Sequence, residues 1–260
     1  MLSHRLTLVA VFAVWPAVAQ VSNGLQSGTA VTSHSWAGYV VTGSSFTQAK
    51  GSWIVPAVTC PNESNTYSSF LVGIDGYSSS TVEETGTFSN CIGTTPSYQA
   101  WYEFSPQGPV TITSVPVSPG NHISAEVSFA NSLFTVTFTN VTTGKSFTTS
   151  AMVPNAIRSS AEWVLADPCC SSTGAPLSLA DFATISSGED HTGVTGTDFA
   201  TDKTTSGPIS AFGRSIKEIT LVNSQGKPEA MPTSLSSDGT SFLLYNCLSH
   251  GGCKSLREPH

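Results

Sequence analysis

The sequence predicts an all-β chain folded as an antiparallel two-sheet β-sandwich, and three observations carry that prediction. From residue 36 onward, short runs of alternating apolar and polar side chains recur between clusters of Gly, Pro, Ser and Asn, the period-two pattern of strands with one dry and one wet face. No segment sustains a helical period, a short turn around Ser178 to Phe182 coming nearest to one. Turn residues fall where strands must reverse. About a dozen strands in two packed sheets is the expectation.

Taken in chain order, residues 1–19 have the plan of a secretory signal. His4 and Arg5 give a short basic start, the apolar run that follows is too short to span a bilayer, and it closes on Ala17-Val18-Ala19, a small-x-small cleavage pattern. A leader is expected over 20–34, one domain over 35–246 and a tail over 247–260. No later apolar stretch reaches membrane-spanning length, so the expected location is outside the cell. Cys60 and Cys91 bracket about thirty residues and are the first disulfide pair expected of an exported chain. Cys169, Cys170, Cys247 and Cys253 remain to pair, with a bridge between the adjacent Cys169 and Cys170 disfavoured by geometry. Zinc ligation competes with bridging but finds no CxxC pair. Asn62-Glu63-Ser64 and Asn140-Val141-Thr142 have the form of glycan acceptors at Asn62 and Asn140.

Further along, His122 to Phe129 places apolar residues at every second position, and Phe134, Val136 and Phe138 alternate with Thr135, Thr137 and Thr139. Ala130-Asn131-Ser132 joins these strands as a hairpin, and Thr142 to Lys145 turns the chain again. Glu189-Asp190-His191 matches a metal pattern but sits in a Gly/Ser/Thr loop and reads as a solvated turn. The tail is rich in Gly, Ser and charge and lacks alternation.

Charge excludes one class of function. The chain has 10 Lys and Arg against 17 Asp and Glu; losing Arg5 with the signal leaves nine against seventeen, a net of −8. A basic footprint for nucleic acid is absent. No GxSxG or HExxH motif occurs, and His34 and His122 have no recognisable nucleophile partner, which sets serine hydrolase and metallopeptidase chemistry aside. No metal or membrane partner is expected, and the chain is expected to be a monomer.

Five segments in order carry a resemblance: Ser35-Trp36-Ala37-Gly38-Tyr39, Leu71-Val72-Gly73-Ile74-Asp75-Gly76, Val82-Glu83-Glu84-Thr85-Gly86, Gln99-Ala100-Trp101-Tyr102-Glu103 and Ala161-Glu162-Trp163-Val164-Leu165. Pro176-Leu177 through Ala180-Asp181-Phe182, and Asp238-Gly239-Thr240-Ser241-Phe242, extend it. Together they resemble the glutamic peptidases, also called eqolisins. The resemblance implies a lectin-like (concanavalin) jelly roll of two curved sheets, with a polypeptide cleft on a concave polar face. It implies hydrolysis at acidic pH with no cofactor. In that family a glutamate activates a water as general base, and a glutamine amide holds the water and the oxyanion.

Both decisive positions depart from the pattern. Glu84 stands where the family's (V/I)-x-Q-T-G motif has its glutamine. Ala166 stands where the family's glutamate follows Glu162 by four residues. A methyl group accepts no proton, so the general base is absent. Alternation places Glu162, Val164 and Ala166 on one face and Trp163, Leu165 and Asp167 on the other, with Glu162 about 13 Å from Ala166 at roughly 3.3 Å per residue. The expected reading is an acid endopeptidase by family, impaired in the usual mechanism. A non-catalytic binder of peptide or glycan is one alternative. A hydrolase using two carboxyls, with Glu84 as the base and Glu103 as the acid, is another. Trp36, Asp75, Trp101, Glu103 and Glu162 are the remaining cleft candidates; the residues alone allow a core role for Trp36 and Trp101 and a turn role for Asp75.

Overall fold

The structure is a computed structural model that describes residues 28–167, 177–248 and 253. Its strands are β1 (Thr29–Ser33), β2 (Trp36–Thr42), β3 (Gln48–Ile54), β4 (Ser69–Ile74), β5 (Glu83–Ile92), β6 (Thr95–Phe104), β7 (Val110–Thr111), β8 (His122–Ala130) and β9 (Leu133–Asn140). They continue as β10 (Lys145–Ala151), β11 (Ser160–Ala166), β12 (Thr184–Ser187), β13 (Phe199–Thr201), β14 (Ser206–Pro208), β15 (Ile216–Val222), β16 (Pro228–Pro232) and β17 (Phe242–Asn246). A one-turn helix α1 (Glu189–Thr192) and a 3-10 segment at Ile209–Ser215 complete the described elements.

Two sheets emerge from the pairings. The first runs β1-β15-β2-β11-β4-β5-β6-β7, antiparallel throughout except for the parallel pair β1 and β15. The second runs β16-β17-β12-β3-β8-β9-β10, with β13 and β14 added beside β12 along β3. The β15 to β16 ladder joins them. The two-sheet antiparallel class agrees with the sequence; the count of about a dozen strands does not, because seventeen are present among the described residues.

The alternation read from sequence is what makes the interior. Tyr39 and Val41 of β2, Phe70, Val72 and Ile74 of β4, and Trp163 and Leu165 of β11 turn one way, onto Trp53 of β3, Ile123 and Val127 of β8, and Phe134, Val136 and Phe138 of β9. Trp53 meets Phe70 across the sheets at 5.4 Å between ring centroids, and Trp163 Nε1 donates to the Lys50 carbonyl at 2.6 Å. Large aromatics dominate such cores because each buries much apolar area.

Several local expectations change. Residues 29–33 fall in the segment expected as a leader, yet they form the edge strand of the first sheet. The hairpin loop is Asn131-Ser132 alone, both residues at positive φ (51° and 64°), with Ala130 still in the ladder opposite Leu133. Ser178 to Phe182 forms no helix: Leu179 bridges Tyr67, and Asp181 bridges Thr59. Glu189-Asp190-His191 is helical, and no metal cluster occurs among the described residues. Cys60 bonds Cys91, and Cys247 bonds Cys253, leaving no thiol for zinc among the described residues. Cys169, Cys170, residues 1–27 and most of the tail lie outside the described residues. Asn140 is a correction: it is fully buried, and its amide donates to the Pro116 carbonyl and Asn121 Oδ1, so the folded chain offers no glycan acceptor there. Asn62 is exposed, its Oδ1 accepting from the Ser64 amide at 2.9 Å.

Candidate active site

Residues paired across neighbouring strands share a face, and the registers of the first sheet therefore assemble three parallel rows on the face opposite the interior. The first row is Lys217, Val40, Glu162, Gly73, Glu84 and Glu103. The second, one pleat repeat or about 7 Å away, is Ile219, Gly38, Val164, Leu71, Gly86 and Trp101. The third is Trp36, Ala166, Ser69, Phe88 and Gln99. Val40, Leu71, Trp101, Val164 and Ile219 form an apolar cluster of their own, with Trp36, Tyr77, Phe88 and Ala166 packed against it.

The carboxyl row is the chemical feature of this face. Glu84 lies directly opposite Glu103 on the neighbouring strand. On its other side Gly73 leaves a gap between Glu84 and Glu162; a Cβ there would lie 2.9 Å from the Glu84 Cβ and 3.4 Å from Glu162 Oε1. Glu162 is fully buried, and neither carboxyl oxygen has a hydrogen-bond partner. The Ser160 hydroxyl is near enough to favour its ionisation slightly, but outside hydrogen-bonding geometry. What covers Glu162 is the turn after β4. Gly76, at φ +105°, approaches so closely that a Cβ there would lie 3.5 Å from Glu162 Oε1 and 3.2 Å from the Trp36 ring.

Burial governs the ionisation of these groups because a low-dielectric surrounding disfavours the charged form. Glu84 is pushed up to about 8, first by burial and then by Glu103. Glu162 is held well above the usual carboxylate range by burial and then by Glu84, Asp75 and Glu83. Burial also raises Glu103. Glu83 points into the interior between Ile74 and Phe104, is pushed up to about 8 by burial, Asp75 and Glu84, and has no hydrogen-bond partner on either oxygen.

The remaining candidates take distinct places. Asp75 is buried and accepts from the Ile157, Arg158 and Ser159 amides and the Ser159 hydroxyl at 3.0, 2.6, 2.8 and 3.0 Å, which is the work of a loop anchor. Trp101 is on the outer face yet covered, stacked on Phe88 at 5.1 Å, with Nε1 donating to Ser69 Oγ at 3.0 Å. Trp36 is half-buried, 6.4 Å from Tyr77, and both border a cavity of about 260 Å³. Ala166 and Glu84 share the face but not a row, with the apolar row between them. Asp167 turns away from this face, as alternation requires, and lines a separate cavity with His34 and Glu229. Sequence reasoning did not single out Gly73, Ser69, Leu71 or Phe88 as site residues, because only the strand registers bring them beside the carboxyls and Ala166.

Comparisons with known proteins agree on one lineage. The family model described as the peptidase A4 family matches residues 34–225. Aspergillopepsin-2 of Aspergillus niger is 29% identical over 177 residues, 59% of this chain and 62% of the relative, so the chain spans less than two thirds of that relative's length. Scytalido-glutamic peptidase bound to a transition-state analogue inhibitor matches with a TM-score of 0.65 at 20% identity, over 82% of this chain and 98% of that one. SCP-B, an eqolisin in complex with the tripeptide Ala-Ile-His, gives 0.63 at 20% identity over the same shares. Aspergilloglutamic peptidase from Aspergillus niger gives 0.56 at 24% identity, over 70% and 99%. At these identities the solved structures establish the shared β-sandwich.

Proposed function

Because the chain belongs to the peptidase A4 family, we propose that the outer face of its first sheet binds extended polypeptide, and that the usual glutamate and glutamine chemistry of glutamic peptidases is lost from it. The single observation that carries this reading is Ala166, which lies beside Ser69 and opposite Trp36 where the family's general base is expected. That the solved relatives were captured with a peptide-based inhibitor and a tripeptide supports polypeptide as the ligand.

The row of carboxyls does not replace the base at acidic pH. A general base must be ionised, and a group raised to about 8, as Glu84 is, remains protonated near pH 3. Burial holds Glu103 and Glu162 in the same direction. A protonated Glu84 retains one O–H donor for an oxyanion. The proton acceptor is the missing component, and losing a general base costs about a hundred- to ten-thousandfold in rate.

Glu84→Gln combined with Ala166→Glu restores both residue types and is expected to create haemoglobin cleavage near pH 3 that neither single substitution shows. A single variant cutting as fast as the double one would refute the assignment. So would a well-folded double variant with no activity, which would place the divergence in the rest of the face.

A second reading is favoured by the direct pairing of Glu84 with Glu103: a two-carboxyl hydrolase in which the roles expected from sequence are exchanged, Glu84, raised to about 8 by burial, serving as the acid and an ionised Glu103 as the base. It requires hydrolysis toward neutral pH, lost on Glu103→Gln. The apolar run of residues 1–19 and the two disulfides support export of the chain, which we read as an extracellular monomer.

A further inference from the structure

One cavity lies clear of the carboxyl row. It opens at the rim of the first sheet, between the edge strand β1 and the turn after β4, and holds about 260 Å³. Ile219 is buried at its base, and Val31, Trp36 and Tyr77, all partly exposed, line its sides. The Trp36 and Tyr77 rings stand 6.4 Å apart and 32° from parallel, an open wedge rather than a closed stack. Thr32, Ser33 and Ser35 add hydroxyls, and no described lining side chain carries a carboxyl, an amine or an imidazole. The polar groups here are largely uncommitted. Trp53, Trp101 and Trp163 donate their indole N–H groups to Thr87 Oγ1, Ser69 Oγ and the Lys50 carbonyl, whereas the Trp36 indole has no partner among the described residues. Ser33 Oγ accepts from the Ser35 and Trp36 amides at 3.0 and 3.1 Å, which leaves its O–H to donate.

These properties define a ligand. An uncharged lining offers no compensation for desolvating a charge, so the ligand is neutral. The volume falls below the roughly 300 to 1,000 Å³ of sites for drug-sized molecules, so it takes one ring-sized unit. Aromatic faces carry the negative part of the ring quadrupole and draw weakly positive C–H groups. A hydroxyl both donates and accepts, so a row of hydroxyls is matched by a ligand whose polar groups do the same. A pyranose has both features, C–H faces and a rim of hydroxyls. We infer that this cavity binds a neutral hexopyranose, with one C–H face against Trp36 and Tyr77 and its hydroxyls bonded to Thr32, Ser33, Ser35 and the Trp36 indole N–H. A proline ring also docks on aromatics, but it brings no donor and leaves the accepting side of the hydroxyls unmet. The sugar site uses none of the carboxyls and stands or falls apart from the polypeptide reading of the neighbouring face.

Saturation-transfer NMR on the folded chain, with the methyl glycosides of glucose, galactose and mannose as probes, reads the contact directly. Irradiating the aromatic protons is expected to pass saturation to the C–H protons on one ring face of the preferred glycoside, with a dissociation constant of about 1 mM, as befits a single ring. The constant is expected to be the same at pH 4 and pH 6, because the described lining holds no carboxyl or imidazole. Trp36→Ala and Tyr77→Ala are each expected to weaken binding about tenfold. Trp36 also packs against the outer apolar cluster, so Thr32→Trp, at an exposed position of the edge strand, supplies a variant that fills the cavity; it is expected to abolish transfer while circular dichroism stays unchanged. The preferred sugar is then offered O-linked to the serine of Gly-Ser-Gly. Tighter binding of the glycopeptide than of the methyl glycoside assigns a protein-borne glycan, equal binding assigns a free saccharide, and both support the site. No transfer to any of the three glycosides would overturn it, as would transfer undiminished in Trp36→Ala and Thr32→Trp, or binding confined to a hexaproline peptide.

Discussion

Glu83, Glu84 and Glu162 are acids held neutral by their surroundings, and that sets how stability responds to pH. Below about 4.5 folded and unfolded chains both carry the proton, so the folded state bears no penalty. As pH rises from there toward 8, the unfolded chain ionises while folded Glu83 and Glu84, raised to about 8, do not. Stability falls across that whole window, by on the order of a few kcal/mol per group. The melting temperature is expected to be highest near pH 4 and to decline steadily to pH 8, and Glu83→Gln or Glu84→Gln should each flatten the slope; a maximum near pH 7 in thermal scans would contradict this. Alternation along 161–167 was enough to place Glu162 and Ala166 on one face and Asp167 on the other. The burial of Glu162 was not legible, because it depends on Gly73, Gly76 and Trp36 converging from three separate strands and turns.

The Asp75 anchor links two elements. Its carboxylate gathers the amides of Ile157, Arg158 and Ser159 just before β11 and so fixes where that strand meets the end of β4. Removing it leaves three amides and the hydroxyls of Ser159 and Thr81 without this acceptor. Asp75→Ala is expected to cost about 3 kcal/mol or more in urea denaturation, and a loss under about 1 kcal/mol would show that the loop holds itself. The GIDG stretch marked a turn in the sequence, but its partners eighty residues away did not. The hairpin of β8 and β9 was legible down to its strands because alternation runs unbroken on both sides. Its loop was read one residue too long, since Ala130 opposite Leu133 continues the ladder, and two adjacent residues at positive φ make the tight primed turn that hairpins favour.

Across the molecule, what the sequence conveyed was the class of fold and the two faces of its longer strands. Two- and three-residue strands such as Val110–Thr111 and Ser206–Pro208 are too short to show a period. β1 has no clear sequence signature because it lies at the edge, mostly exposed, in a segment expected from sequence to be a leader. The row structure of the outer face needs six strands in register, and registers between distant strands have no local signature. The family model brings membership and the solved structures the shared sandwich, but neither brings activity, since catalysis lives in particular side chains mounted on a fold. The most direct measurement is mass spectrometry of haemoglobin incubated with the folded wild-type chain from pH 3 to pH 8, with pepstatin present to silence aspartic peptidases. No new fragments at any pH is the result expected of a polypeptide-binding face without a general base. Pepstatin-insensitive fragments at pH 3 would contradict the account, and fragments confined to neutral pH would transfer it to the Glu84 and Glu103 pair.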